Sequence, residues 1–180
     1  KTGLAYQPPA QRVAFTFRHL LSQIQIIGRI DPALAASGVS ATIRSVKLYG
    51  MPGAGECAVQ PEGNGTWSLG EATDADNPFA RDPVSRELTP AGISVFADDL
   101  LLFPQQVGDG FVLEIEYEYA GNGTSGTFAK SISLAGAGIG TWEAGCSYRY
   151  TFTVGSEYIL FEKPEVIPWS SASGGNITVE

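Results

Sequence analysis

Positions 111–119 alternate strictly, with Phe111, Leu113, Ile115, Tyr117 and Tyr119 in one phase and Val112, Glu114, Glu116 and Glu118 in the other. Period two is the signature of a pleated strand with one face packed and one face wet. Glutamates two apart on such a strand lie about 6.8 Å from each other and repel by only about 0.6 kcal/mol in water. Burying each large side chain on the opposite face contributes about 1.5–3 kcal/mol, so the strand is stable despite its acidic face. The same alternation recurs in Tyr148, Tyr150, Phe152 and Val154, and in Val13, Phe15 and Phe17, which predicts half-exposed antiparallel strands.

Weaker strand signals cover 24–30, 42–49, 66–69, 93–96, 100–103, 128–134, 158–161 and 176–179. Turn residues separate them at Asn64-Gly65, Asp109-Gly110, Gly121-Asn122-Gly123 and Gly174-Gly175. Asp109-Gly110 and Asn122-Gly123 best fit tight hairpins. Asp31-Pro32 suits an N-cap followed by N1, which predicts one helical turn through Ala36. Nothing longer reads as helix, and about ten punctuated strands predict an all-β sandwich. Residues 51–89 carry little periodicity beyond Trp67 and Leu69 and are expected to form long loops, where a specific ligand would be sought.

Composition narrows this picture. The 180 residues suit one domain, 1–180, and the 22 glycines and 11 prolines are spread as turn punctuation. A formal net charge of −8 disfavours nucleic acid, whose binding needs counterions displaced by lysine and arginine. No apolar run approaches the roughly 20 residues of a transmembrane helix. Cys57 and Cys146 are open to two readings, a disulfide or two separate buried thiols; the 89-residue spacing would make a bond worth about 4–5 kcal/mol.

The chemistry-bearing residues do not form a recognisable active site. His19 is the only histidine, lies beside a core strand and is read as structural; several-imidazole metal sites are excluded. Asp74, Asp76 and Asn77, with Glu71 and Asp82, offer oxygen ligands for calcium, but without the EF-hand glycine and glutamate they read as a solvated acidic loop. Asn64, Asn122 and Asn176 begin glycosylation-type triplets, the first two doubling as turns. Trp67, Trp142 and Trp169 are candidates for a sugar-stacking platform, with core packing as the competing reading. No catalytic, cofactor or metal residue is assigned, and the chain is expected not to be an enzyme.

Four short segments resemble one family. They are Phe17-Arg18-His19-Leu20-Leu21-Ser22-Gln23-Ile24 after a hydrophobic strand, Leu101-Leu102-Phe103-Pro104-Gln105, Trp142-Glu143-Ala144-Gly145-Cys146-Ser147-Tyr148-Arg149-Tyr150, and Val166-Ile167-Pro168-Trp169. Their order across 13–169 is similar to that of the fimbrillin-like proteins, or type V pilins, of Gram-negative anaerobes; neither cysteine belongs to the pattern, and 51–99 match nothing in it. The resemblance implies a Greek-key antiparallel β-sandwich, transthyretin-like, exported as a lipoprotein and matured by proteolysis at the outer membrane. Family members generally carry a lipoprotein signal and another β-domain upstream, so the chain looks like a C-terminal or processed portion. It also implies other pilin subunits as partners through strand exchange, and a host protein or glycan as an adhesion target. Residues 174–180 are the expected donor tail. The alternative is a surface-anchored carbohydrate-binding module.

Overall fold

The computed structural model describes residues 18–60, 65–82, 85–121, 123–156 and 158–169. The strand expectations over 13–17 and 176–179, the Gly174-Gly175 turn, the donor tail, and Asn64, Asn122 and Asn176 lie outside these residues. In chain order the strands are β1 (Ser22–Ile30), β2 (Ser40–Tyr49), β3 (Gly55–Val59), β4 (Gly65–Leu69), β5 (Ala80–Asp82), β6 (Arg86–Glu87), β7 (Ile93–Ser94) and β8 (Leu100–Leu102). There follow β9 (Gln105–Gln106), β10 (Val112–Gly121), β11 (Thr124–Ser133), β12 (Thr141–Trp142), β13 (Cys146–Val154), β14 (Ile159–Phe161) and β15 (Glu165–Pro168). One helical turn, α1 (Pro32–Ala36), starts where Asp31 Oδ1 accepts from the amides of Ala33 at 2.7 Å and Leu34 at 3.3 Å, as the Asp-Pro pair predicts.

Two sheets enclose one hydrophobic core. The first has the order β14-β13-β1-β7, with β15 also on β13 and β8 also on β1; the second has the order β11-β10-β2-β5, with β6 also on β2. Ile24, Ile26 and Ile30 of β1 and Tyr148, Tyr150, Phe152 and Val154 of β13 point inward from the first sheet. Ile43, Val46 and Leu48 of β2 and Leu113, Ile115 and Tyr117 of β10 meet them from the second, all in one buried cluster. Alternating burial along β1, β2, β10 and β13 thus produces the all-β sandwich. The chain passes from sheet to sheet several times, so neighbours in space are distant in sequence.

β2 would lose its inward phase without an irregularity. Its register against β10 shifts between Glu116 and Tyr117, where Ser45 and Ile43 are the partners and Arg44 is the extra residue. The bulge lets Ala41 and Ile43 on one side of it and Val46 and Leu48 on the other all face the core. It also turns Arg44 outward onto Glu118, with Nη1 donating to Ser85 Oγ at 2.8 Å. Lys47 pairs with Glu114 at 3.0 Å, so two of the three glutamates on the wet face of β10 face cations of β2.

Three expectations change. β13 pairs antiparallel with β14 and β15 but parallel with β1, from Gln23 opposite Ser147 to Ile30 opposite Val154. A parallel pair needs a long crossover, and the chain between these strands supplies one by building the second sheet. Asp109-Gly110 is a turn, closed by the Phe111 amide on Gly108 O at 3.0 Å, but it joins β9 to β10, which lie in different sheets, and so makes no hairpin. The β10–β11 hairpin does form, with Gly121 opposite Thr124 and Gly123 at φ 75°. Residues 51–89, expected as loops apart from the strand at 66–69, contain the β3–β4 hairpin and the edge strands β5 and β6.

Candidate functional site

The four sequence segments converge at one end of the first sheet. Ser22 pairs with Leu102, Cys146 with Pro168, and Trp142 with Gln105. Ser22 Oγ donates to Glu143 O at 2.8 Å, the Gly145 amide to Leu21 O at 3.0 Å, and the Trp169 amide to Gly145 O at 2.7 Å. The turn between β12 and β13 is therefore the hub that ties the start of β1 to the end of β15.

The aromatic spacing of that turn has a direct physical reading. Trp142 is fully buried and its Nε1 donates to Tyr150 Oη at 2.9 Å, while Tyr148 Oη accepts from the Glu143 amide at 2.7 Å. Alternate residues of β13 thus carry both hydroxyls back onto the preceding turn. Burial raises the Tyr148 pKa, partly offset by that backbone hydrogen bond. Burial likewise pushes Tyr150 up to about 12, and the hydrogen bond from Trp142 opposes the rise.

Beside this hub opens a cleft of about 370 Å³ lined by Arg18, His19, Leu20, Leu21, Trp67, Leu101 and Trp169. His19 and Trp169 form one wall as a stacked pair, ring centroids 3.8 Å apart and planes 10° from parallel. Trp67, brought in by the β3–β4 hairpin, forms another; its Nε1 donates to Leu20 O at 3.0 Å and its ring lies 4.8 Å from Phe103. The lining is mostly carbon, with Arg18 and His19 as the polar exceptions. It suits an apolar side chain or the C–H face of a ring.

The candidate residues separate accordingly. His19 stacks on Trp169 in the wall of the cleft. Of the three tryptophans, Trp142 is core, whereas Trp67 and Trp169 share the cleft. Cys57 sits opposite Trp67 on the hairpin, and neither it nor Cys146 is bonded, which selects separate thiols over a disulfide; both are half-buried. Asp74 Oδ1 closes its own turn by accepting from the amides of Asp76 and Asn77, and Asp82 accepts from the Ala97 amide and Arg86. Among the described residues no three of His, Cys, Asp and Glu come together as a metal site. The strand over 66–69 that carries Trp67 was expected, but its hairpin partner Gly55–Val59 was not, because that segment shows no clean alternation and only its central Cys57 is half-buried.

These features define a β-sandwich whose distinctive assembled parts are a motif hub, an aromatic cleft and open strand edges. Residues 1–169 match the family described as fimbrillin-like, and the chain belongs to that family. No curated protein matches it. Three crystal structures of candidate cell adhesion proteins from Bacteroides are similar. That from Bacteroides uniformis has 16% identity and a TM-score of 0.42 over 88% of this chain and 54% of its own. That from Bacteroides eggerthii has 14% identity and a TM-score of 0.41 over 84% and 56%, and that from Bacteroides ovatus has 14% and 0.36 over 87% and 47%. The chain spans about half the length of each. Among the described residues no helix is long and apolar enough to cross a membrane.

Proposed function

We propose that this chain is a cell-surface fimbrial subunit that works by assembly and adhesion, without catalysis. The observation that carries the reading is the fimbrillin-like match over residues 1–169. In this reading residues 1–180 act as one sandwich domain, exported as a lipoprotein precursor, and neighbouring subunits join by strand exchange. Two physical features support joining of that kind. β11 pairs with β10 along its full ten residues and has no ladder on its other side among the described residues, so a row of backbone donors and acceptors is available to another chain. Leu160, Val166 and Ile167, on the short strands beside β13, are about half exposed and would gain by being covered.

Filaments containing the full-length protein, visible by electron microscopy and lost on deletion of residues 172–180, are the expected result. Unchanged assembly of the deletion variant would remove the tail as donor. The carbohydrate-binding module stays as a second reading because Trp67 and Trp169 share an open cleft. Glycan-array binding abolished by Trp67→Ala or Trp169→Ala, with no filaments formed, would favour it.

A further inference from the structure

The edges of the two sheets are not alike. On the first sheet one edge is divided between β14 and β15 and the other between β7 and β8, in pieces of two to four residues. Pro164 and Pro168 punctuate one of these edges, and Asp98 and Asp99 interrupt the other. On the second sheet β5 and β6 divide the far edge and carry Arg81, Asp82, Arg86 and Glu87. Short pieces, prolines and charges are what keep an edge from pairing with another chain. β11 is the exception. It runs ten residues unbroken, its only charge is Lys130, and among the described residues nothing pairs with its outer side.

The ladder fixes which groups of β11 are open. The Leu134 amide donates to Phe111 O at 2.9 Å, so in alternation Ile132, Lys130, Phe128 and Gly126 also turn their backbone groups to β10. Ser125, Thr127, Ala129, Ser131 and Ser133 therefore turn theirs outward, and this set is symmetric about Ala129. A second β11 laid antiparallel, with Ala129 on a twofold axis, satisfies all of it in about ten hydrogen bonds. Thr127 then faces Ser131 of the second copy, and Ser125 faces Ser133 of the second copy. In the other phase Phe128 meets Lys130 of the second copy, and Gly126 meets Ile132 of the second copy. Phe128 is 46% exposed and already held, stacked on Tyr117 at 5.7 Å and edge-on to Tyr119 at 6.5 Å. Its ring stands over Gly126, 3.3 Å from where a Cβ would lie, so an isoleucine opposite that glycine covers the ring. The one charge of the strand thus meets an aromatic ring and not its own copy. The glutamates of β10 lie one strand further in on each copy, about 14 Å apart across the axis, outside the screening length of about 8 Å.

We propose that β11 is a self-association edge, through which two copies of this chain pair as a twofold dimer with one sheet continuous across the axis. The inference rests on the same open edge as the proposed assembly, but it needs neither the tail nor a filament. An isologous pair closes at two copies, so longer assembly extends through another surface.

Sedimentation equilibrium of the purified 180-residue chain tests it. The mass is expected to rise with concentration from the 19.0 kDa monomer towards twice that value, and the dimer to tighten as salt screens the formal charge of −8 on each copy. Ala129→Pro removes an outward N–H, leaves the β10–β11 bonds in place and should weaken the dimer at least tenfold. Ala129→Lys sets like charges face to face on the axis, opposite Glu116 of its own chain, and should weaken the dimer as much. Circular dichroism confirms the fold of each variant, and the lysine variant serves if the proline variant does not fold. A monomer at every concentration, as when residues 1–17 or 170–180 of the chain itself cover the edge, would overturn the proposal. So would a dimer undiminished in the folded variants. Filaments of the full-length protein alongside a monomeric chain would sink this inference alone, whereas a dimer without filaments would support it and sink only the fimbrial reading.

Discussion

Tyr150 is the buried residue whose ionisation most directly couples packing to solution behaviour. Its folded pKa, about 12, lies above the ordinary value of 10.0. The folded state therefore holds the phenol proton more tightly than the unfolded chain does, and the associated stability is fully present below pH 10. Between pH 10 and 12 the unfolded state loses that proton first, and stability falls by up to about 1.4 kcal/mol per pH unit from this group. Chemical denaturation at pH 9, 10, 11 and 12 should show the fall, and Tyr150→Phe should make it shallower over the same interval. Gly50 supplies a second prediction. It adopts φ 93°, and a Cβ there would run into the carbonyl oxygen of Gly110, a backbone atom with no freedom to withdraw. Gly50→Ala should destabilise by more than about 2 kcal/mol in urea unfolding, from conformational strain and overpacking together. Neither effect was legible in the sequence. Tyr150 announced itself as core through alternation, but its partner Trp142 and the contact of Gly50 with Gly110 depend on approaches that no local pattern encodes.

At the level of strands, what could be read was what repeats. β1, β10 and β13 each carry a period-two apolar phase, and each buries it. The parallel pairing of β1 with β13 was not legible, because register between segments more than a hundred residues apart is set by tertiary packing and not by a turn. Asp109-Gly110 had hairpin composition but joins different sheets, since a turn signal fixes only the reversal and not which strands pair afterwards. The bulge at Arg44 was equally hidden, and that it only accommodates one extra residue can be tested. Deleting Arg44 would remove the extra residue and leave Ala41, Ile43, Val46 and Leu48 in one unbroken inward phase against β10. Cooperative thermal unfolding is expected to survive the deletion, and Arg44→Ala, which keeps the bulge and removes a half-exposed ion pair, should cost less than about 1 kcal/mol.

Across the whole molecule, the four short segments that carried the family resemblance are the ones that meet around the turn from β12 to β13. Their spacing is the spacing of a structural knot: a serine, a glycine and alternate aromatics that lace the first and last strands of one sheet together. The cleft beside that knot could not be read in advance, because the hairpin that carries Trp67 to it is completed by Gly55–Val59, a segment with no strand periodicity. The chain belongs to the fimbrillin-like family, and the central claim is that it acts as a subunit of a surface filament. Immunogold electron microscopy of cells expressing the full-length protein, with antibody raised against this chain, tests that claim most directly. The account predicts gold particles on filaments projecting from the cell, absent from cells lacking the gene. Labelling confined to a bare cell surface, or to the cell interior, would contradict it.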